Sequence, residues 1–205
     1  MFSVILKEDN AHNPLGQKPT PRTKSRKDYG SSWWGRAWLR PIEAICGETV
    51  SSLGKSCALK GMVYDVEIKA GSVRAKVEGP MGEEYNVMVR FDRVKGKERM
   101  ELFSLVSDPS VYLALLSNEL PLNCESSGLE SLFGNFKSSC NSPDDASPCM
   151  HVAALFYVLC GEIDYAPQML FFLRGVSNEE LLSCIRSGVP EAKNIDVSRK
   201  KSEAN

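Results

Sequence analysis

A run of apolar residues from Cys149 to Gly161 constrains the fold of this chain most. It follows Ser147-Pro148, and its pattern predicts a helix over 149–160 that ends at Gly161. Because the helix is apolar on all sides, we expect it to be buried throughout. At about 13 residues it is shorter than the 18 or more residues of a membrane-spanning helix. The rest of the chain must therefore cover it, and a composition that is 42% hydrophobic over 205 residues supplies the core to do so.

A second apolar segment begins at Ser32, a residue type that caps helix N-termini. Three tryptophans follow within six residues, and Trp34, Trp38 and Ile42 recur at helical spacing. The pattern predicts a helix from Trp33 to about Cys46 with a bend near its internal proline. Indole rings at these positions are typical of core anchors, while stacking on nucleobases is the alternative.

Three segments with alternating apolar and polar residues come next, at 62–69, 73–77 and 85–91. Turn residues separate them, namely Ala70-Gly71 and the run from Gly79 to Gly82. Alternation with a period of two predicts an antiparallel meander with one face in water. The fold class expected is therefore α+β.

Helix signals resume after the meander. Asp108-Pro109 predicts a helix start and Leu120-Pro121 its stop, a weaker short helix is expected at 129–133, and another is expected at 167–174. Ser177 and Glu180 form a capping-box pattern that predicts a helix to Ser187. The sequence thus divides into a flexible basic arm (1–28), an α+β region (29–120), a finger-like and helical region (121–188) and a flexible tail (189–205).

Charge is unevenly distributed, although the formal net charge is only −1. Residues 11–30 carry five cations against one carboxylate, and a second cationic run follows the third strand. Either cluster is solvated surface or a phosphate-contacting patch, and the candidate nucleic-acid-binding residues are Lys24, Arg26, Lys27, Arg93, Lys95 and Lys97. The segment 123–147 is acidic, so this loop and the N-terminal arm have opposite signs.

The seven cysteines are an odd number, and the first ten residues do not resemble a secretory signal sequence. We therefore expect a reduced, cytoplasmic protein. Four of the cysteines lie in or beside apolar segments and are expected to be small buried hydrophobic residues: Cys46, Cys57, Cys160 and Cys184.

Cys140, Cys149 and His151 fall within twelve residues, across a polar loop that leads into the buried helix. Thiolate and imidazole are ligands that zinc prefers, and a tetrahedral site needs four of them. A fourth ligand can come from Asp144, Asp145 or Cys124. The alternatives are weak binding with water in the fourth position, the arrangement of a hydrolytic site, or a finger that folds without metal.

The segment CNSPDDASPCMHVAA, from Cys140 to Ala154, resembles the motif of SWIM zinc-finger proteins, which have Cys-x-Cys, a short loop and Cys-x-His. Ser32-Trp33-Trp34-Gly35-Arg36-Ala37-Trp38 looks like the tryptophan motif of that family, and the segment from Gln168 to Gly175 is similar to the one after its finger. The resemblance covers about residues 29–188. One position departs from the pattern, because Ser142 stands where the family has its second cysteine, and a hydroxyl is a poor zinc ligand.

The resemblance implies a zinc ion, DNA or protein binding, and an association with a Swi/Snf-type DNA-dependent ATPase. We therefore expect a non-enzymatic nucleic-acid- and/or protein-interaction module, and the alternative is a purely protein–protein interaction module with a metal-free finger. Walker, nucleophile-elbow and His-Glu-x-x-His patterns are absent from the sequence. No small-molecule substrate and no membrane are expected among the partners.

Overall fold

The computed structural model describes residues 28–119, 130–143 and 147–187. The cations Lys24, Arg26 and Lys27 of the predicted arm lie outside the described residues, as do the predicted tail and the candidate ligands Cys124, Asp144 and Asp145. The predicted division into an arm, two regions and a tail stays a prediction.

Six α-helices, one short 3-10 helix and four strands make up the described part of the chain, which confirms the α+β class. The helices are α1 (Trp33–Leu59), α2 (Gly96–Val106), α3 (Pro109–Leu116), α4 (Met150–Tyr165), α5 (Met169–Leu173) and α6 (Asn178–Ser187), and the 3-10 helix is Glu130–Phe133. The strands are β1 (Val63–Lys69), β2 (Ser72–Glu78), β3 (Glu84–Phe91) and β4 (Phe136–Cys140).

Helix α1 begins as predicted, with the Ser32 hydroxyl accepting a hydrogen bond from the Gly35 N–H at 2.9 Å. Its helical backbone breaks at Gly47, at φ 71° and ψ 174°, which confirms the end predicted near Cys46. A second helical segment, which was not predicted, follows this kink and ends at Leu59. The two tryptophans of the inner face are core residues, because Trp34 and Trp38 are buried and Trp38 Nε1 donates to the Phe156 carbonyl at 3.0 Å.

The sheet is fully antiparallel in the order β1-β2-β3-β4. Its first three strands confirm the predicted meander. The fourth strand, β4, was not predicted, because its sequence FKSSC lies in a polar segment with little alternation. It pairs with β3 so that Phe91 is opposite Phe136 and Val87 is opposite Cys140. Hydrogen bonding to β3 therefore fixes the position of Cys140 at the end of the edge strand β4.

Helix α4 is the centre of the core. From His151 to Gly161 every residue is buried, which confirms the expected burial on all sides. The predicted stop at Gly161 is wrong, because the helix continues through this buried glycine to Tyr165. The Phe156 ring lies 4.7 Å from that of Phe136 and 5.0 Å from that of Trp38. The helix thus packs between the sheet and α1.

The remaining helices surround this core. Asp108 caps α3 by accepting from the Ser110 N–H at 2.8 Å, and Ser177 and Glu180 form the predicted capping box of α6. The cationic run after β3 does not lie entirely at the end of that strand. Its second part belongs to α2, which begins at Gly96. The short 3-10 helix lies where a weak helix was expected.

Candidate functional site

Two elements that are adjacent in the fold bring the predicted metal ligands together. Cys140 is the last residue of β4, Cys149 is the N-cap of α4 and His151 lies in its first turn. One ligand atom from each of the three side chains lies within 4.8 Å of the others, so this group can hold a metal ion. Cys149 and His151 are buried, and Cys140 is half-buried at the edge of the sheet.

The distances in the cluster match the needs of a tetrahedral centre. His151 Nδ1 lies 3.7 Å from Cys149 Sγ and 3.9 Å from Cys140 Sγ. Ligand bonds of about 2.3 Å to sulfur and about 2.0–2.1 Å to nitrogen at tetrahedral angles place S and N about 3.6 Å apart. Only small side-chain shifts therefore separate this arrangement from a metal-loaded one.

The position of Cys149 at the start of α4 also favours a thiolate. The Cys140 thiol donates a hydrogen bond to it, and together with His151 and the Val152 N–H this lowers the pKa of Cys149 to about 3 despite burial. The pKa of Cys140 is raised, because its proton is held by Cys149 and its side chain is partly desolvated. A metal ion that binds both sulfurs must therefore displace the proton that Cys140 and Cys149 share.

Ser142 lies at the same cluster. Its N–H donates to Cys140 Sγ at 3.4 Å. The residue at which the chain departs from the resembled motif therefore lies beside the cluster. Two further groups line the site: the Tyr85 ring, whose centroid lies 4.4 Å from that of His151, and Cys46, whose thiol donates to the Pro148 carbonyl at 3.8 Å.

Burial of the other predicted apolar cysteines is confirmed for Cys57, Cys160 and Cys184, while Cys46 is half-buried. Burial raises the pKa of each of these thiols, and that of Cys57 reaches about 11.

The three residues of the predicted cationic patch differ in their surroundings. The Arg93 guanidinium donates to the Ala70 carbonyl at 2.9 Å, which places Arg93 beside the β1–β2 turn. Lys95 is exposed before α2, and Lys97 pairs with Glu101 at 3.4 Å along that helix. Of the three, Arg93 continues a larger basic surface.

That larger surface lies on the outer face of the sheet, and the sequence pattern did not reveal it. Strand register aligns Lys69, Ser72, Arg90 and Lys137 in one row across all four strands. Arg74 lies two residues from this row on β2, and Glu67 is opposite it on β1. We call the exposed cations of this end of the sheet the basic sheet face: Lys69, Arg74, Arg90, Arg93 and Lys137.

The two ends of the outer face differ in charge. At the far end, Lys76 is paired with Glu84 at 2.9 Å and with Asp65 at 3.9 Å. In the described part of the chain, the cations of the row and Arg74 form no ion pair, and only Glu67 and Asp92 supply nearby carboxylates. Five cations against two carboxylates leave the basic sheet face positive.

The sequence of this chain is similar to that of one known protein. The chain is 29% identical over 184 residues to an uncharacterized protein of Mycobacterium tuberculosis, Rv2102, with 83% of this chain and 66% of that protein aligned. The chain thus spans just under two thirds of that relative's length. No protein-family profile matches the chain, and no solved structure matches it.

Among the helices of the described residues, none is both long enough and apolar enough to cross a lipid bilayer.

Proposed function

We propose that this protein is a non-enzymatic interaction module of the SWIM type, which holds a zinc ion at Cys140, Cys149 and His151 and binds nucleic acid through its basic sheet face. The observation that carries the binding function is the row of Lys69, Arg90 and Lys137 across the sheet. The metal is proposed to stabilise the junction between β4 and α4.

Zinc is supported by the chemistry of the ligands. Thiolate and imidazole together, in a cluster whose spacing suits tetrahedral geometry, are typical of zinc sites, whereas magnesium and calcium prefer oxygen ligands. The cysteines of the described residues are free thiols, as a reducing cytoplasm would keep them.

Nucleic acid is supported by the layout of the charges. Neighbouring strands are about 4.8 Å apart, so a row across four strands spans about 14 Å. A row of this length spans more than one phosphate of a nucleic-acid backbone, and each phosphate neutralised by Lys or Arg releases counterions. Among the described residues, no carboxylate pairs with a cation of the row, which supports this proposal because such cations are available for phosphates.

The experiment compares binding of fluorescent single-stranded DNA, double-stranded DNA and RNA at stepped salt concentrations. The variant Lys69→Gln/Arg90→Gln/Lys137→Gln removes three cations from the basic sheet face. A control of equal charge, Arg40→Gln/Lys60→Gln/Arg186→Gln, removes three exposed cations elsewhere. We expect the first variant to reduce the slope of log affinity against log salt by about 2–3, and the control to leave it nearly unchanged.

Equal slopes for the two variants would contradict a role for the basic sheet face. No binding of any nucleic acid to the wild-type protein, together with co-purification of a protein, would favour the purely protein–protein interaction module. A Swi/Snf-type ATPase is the partner that the family resemblance proposes, and co-precipitation with and without the metal tests it.

A further inference from the structure

Two cysteines that a polar segment separates in the sequence have their sulfur atoms close together in the fold. Cys140 Sγ and Cys149 Sγ lie within 4.8 Å of each other. A disulfide needs an S–S distance of about 2.05 Å, so the two sulfurs must approach by less than about 3 Å to form a bond. Cys140 ends β4 and Cys149 precedes α4 as its N-cap, so neither lies in the interior of a regular element. Rotation of the two side chains and a small shift of the strand end can therefore close the gap.

The other cysteines of the described residues are placed differently. Three of them are buried within helices, namely Cys57, Cys160 and Cys184. Cys46 is half-buried on α1, and it does not belong to the group of atoms that lie within 4.8 Å of one another. Of the described cysteines, only Cys140 and Cys149 share such a group.

The two thiols of this pair differ in burial. Cys140 is half-buried at the edge of the sheet, whereas Cys149 is only 2% exposed. An oxidant from solvent therefore reaches Cys140 first. An accessible cysteine beside a second one that resolves its oxidised form is the arrangement of redox-sensing cysteines. Disulfides of cytosolic proteins are usually transient and of this kind.

We propose that Cys140 and Cys149 are a modification site, which a peroxide converts to a reversible disulfide when no metal is bound. The Cys140 sulfur attacks one oxygen of the peroxide, the O–O bond breaks, and a sulfenic acid and one water form. The Cys149 sulfur then attacks the sulfenic sulfur, the S–O bond breaks, and the oxygen leaves as a second water with the proton of the Cys149 thiol. Two thiols thus lose two electrons and two protons, and hydrogen peroxide is reduced to two waters.

The disulfide excludes a metal ion from the proposed zinc site, because it removes both sulfur ligands. This exclusion rests on the proposed function, since it requires that Cys140, Cys149 and His151 bind zinc, whereas the disulfide itself does not. Oxidation of the zinc-loaded protein is therefore expected to release the metal, with one zinc ion freed for each disulfide formed.

The test treats the full-length, reduced and metal-free protein with one equivalent of hydrogen peroxide, and then alkylates the remaining thiols. We expect two of the seven thiols to escape alkylation and to react again after dithiothreitol. Cleavage after Lys137 and before Asp144 leaves Cys140 as the only cysteine of its peptide, so mass spectrometry identifies its partner. The expected partner is Cys149.

Two variants sharpen the result. Cys149→Ser should abolish the disulfide and leave Cys140 as a sulfenic acid that dimedone traps. Cys46→Ser is the matched control, because it removes a half-buried thiol outside the pair and should leave the disulfide unchanged. A Cys140 peptide that is linked to Cys46 or Cys124 instead, or a pair that is fully alkylated after the peroxide, would overturn the inference. The mapping on the wild-type protein decides this even if Cys149→Ser does not fold.

The same treatment of the protein incubated with zinc, followed with a chromophoric chelator, separates this inference from the proposed function. If the disulfide forms but the protein binds no zinc, the proposed metal centre fails and the modification site stands. If zinc binds but the metal-free protein forms no disulfide between Cys140 and Cys149, the inference is overturned while the metal centre stands. Zinc that stays bound after the pair is oxidised would overturn the exclusion of the metal.

Discussion

Asp164 accepts a hydrogen bond from the Ser32 hydroxyl at 2.7 Å, although 132 residues separate the two along the chain. The same buried carboxylate accepts from the N–H groups of Gly30, Ser31 and Ser32 at 2.9–3.1 Å. One side chain at the end of α4 therefore satisfies the free donors at the start of α1. Anionic acceptors are favoured at this end of a helix.

Replacement of this carboxylate is expected to be costly. Asp164→Asn turns an acceptor into a partial donor that faces several N–H groups, and we expect a loss of about 2–4 kcal/mol in the free energy of unfolding. Ser32→Ala removes one hydrogen bond and a cap, at a cost of about 1–2 kcal/mol. Urea unfolding of both single variants and the double variant measures their coupling, which should be about 0.5–3 kcal/mol. Additive effects would show that the two side chains act independently.

Gly54 sets the close approach of α1 to α4. A Cβ there would lie 2.6 Å from Ala153 Cβ and 2.9 Å from the Ala154 nitrogen. Gly54→Ala should therefore lower the free energy of unfolding by about 1–3 kcal/mol, although alanine favours helix. Ala153→Gly in the same chain should recover part of this loss, since it returns space to the crossing. Ser52→Ala, on the exposed side of α1, is the control and should be neutral or slightly stabilising in thermal unfolding.

Arg174 is a buried cation that joins three parts of the fold. Its guanidinium donates to the Asp92 carbonyl and to Glu98 Oε1, the latter at 2.8 Å, and a Cβ at Gly134 would lie 2.5 Å from it. Arg174→Lys keeps the charge but not the planar fork, so we expect it to cost about 2–3 kcal/mol. Denaturant unfolding checks this, and an unchanged midpoint would indicate that the contacts contribute little.

Metal removal should destabilise the protein. The purified wild type is expected to hold one zinc ion, and chelation should lower its melting temperature, because a metal that binds only the folded state stabilises that state. Cys140→Ser and Cys149→Ser should lose both the metal and the response to chelator. Cys184→Ser, at a buried cysteine remote from the cluster, should keep both. Metal analysis and thermal unfolding measure these outcomes, and a metal-free wild type with full stability would establish a finger that folds without zinc.

The sequence predicted those elements whose pattern is local. Helix starts were predicted from residues whose side chains cap a helix N-terminus, namely Ser32, Asp108 and the pair Ser177 and Glu180. Alternation of apolar and polar residues predicted β1, β2 and β3. Strand β4 was not predicted, because its sequence FKSSC has few apolar residues and forms a strand only by pairing with β3. Gly161 suggested a helix end, but packing in the core keeps α4 helical through it.

The sequence alone determined the buried helix, the α+β class and the candidate ligands Cys140, Cys149 and His151, because residue type and spacing carry that information. Tertiary structure decided which of these groups meet. Pairing of β4 with β3 places Cys140 beside the start of α4, and strand register aligns Lys69, Arg90 and Lys137 from three distant segments. Contacts between residues far apart in the chain depend on register and packing, and neither is encoded in any single local pattern.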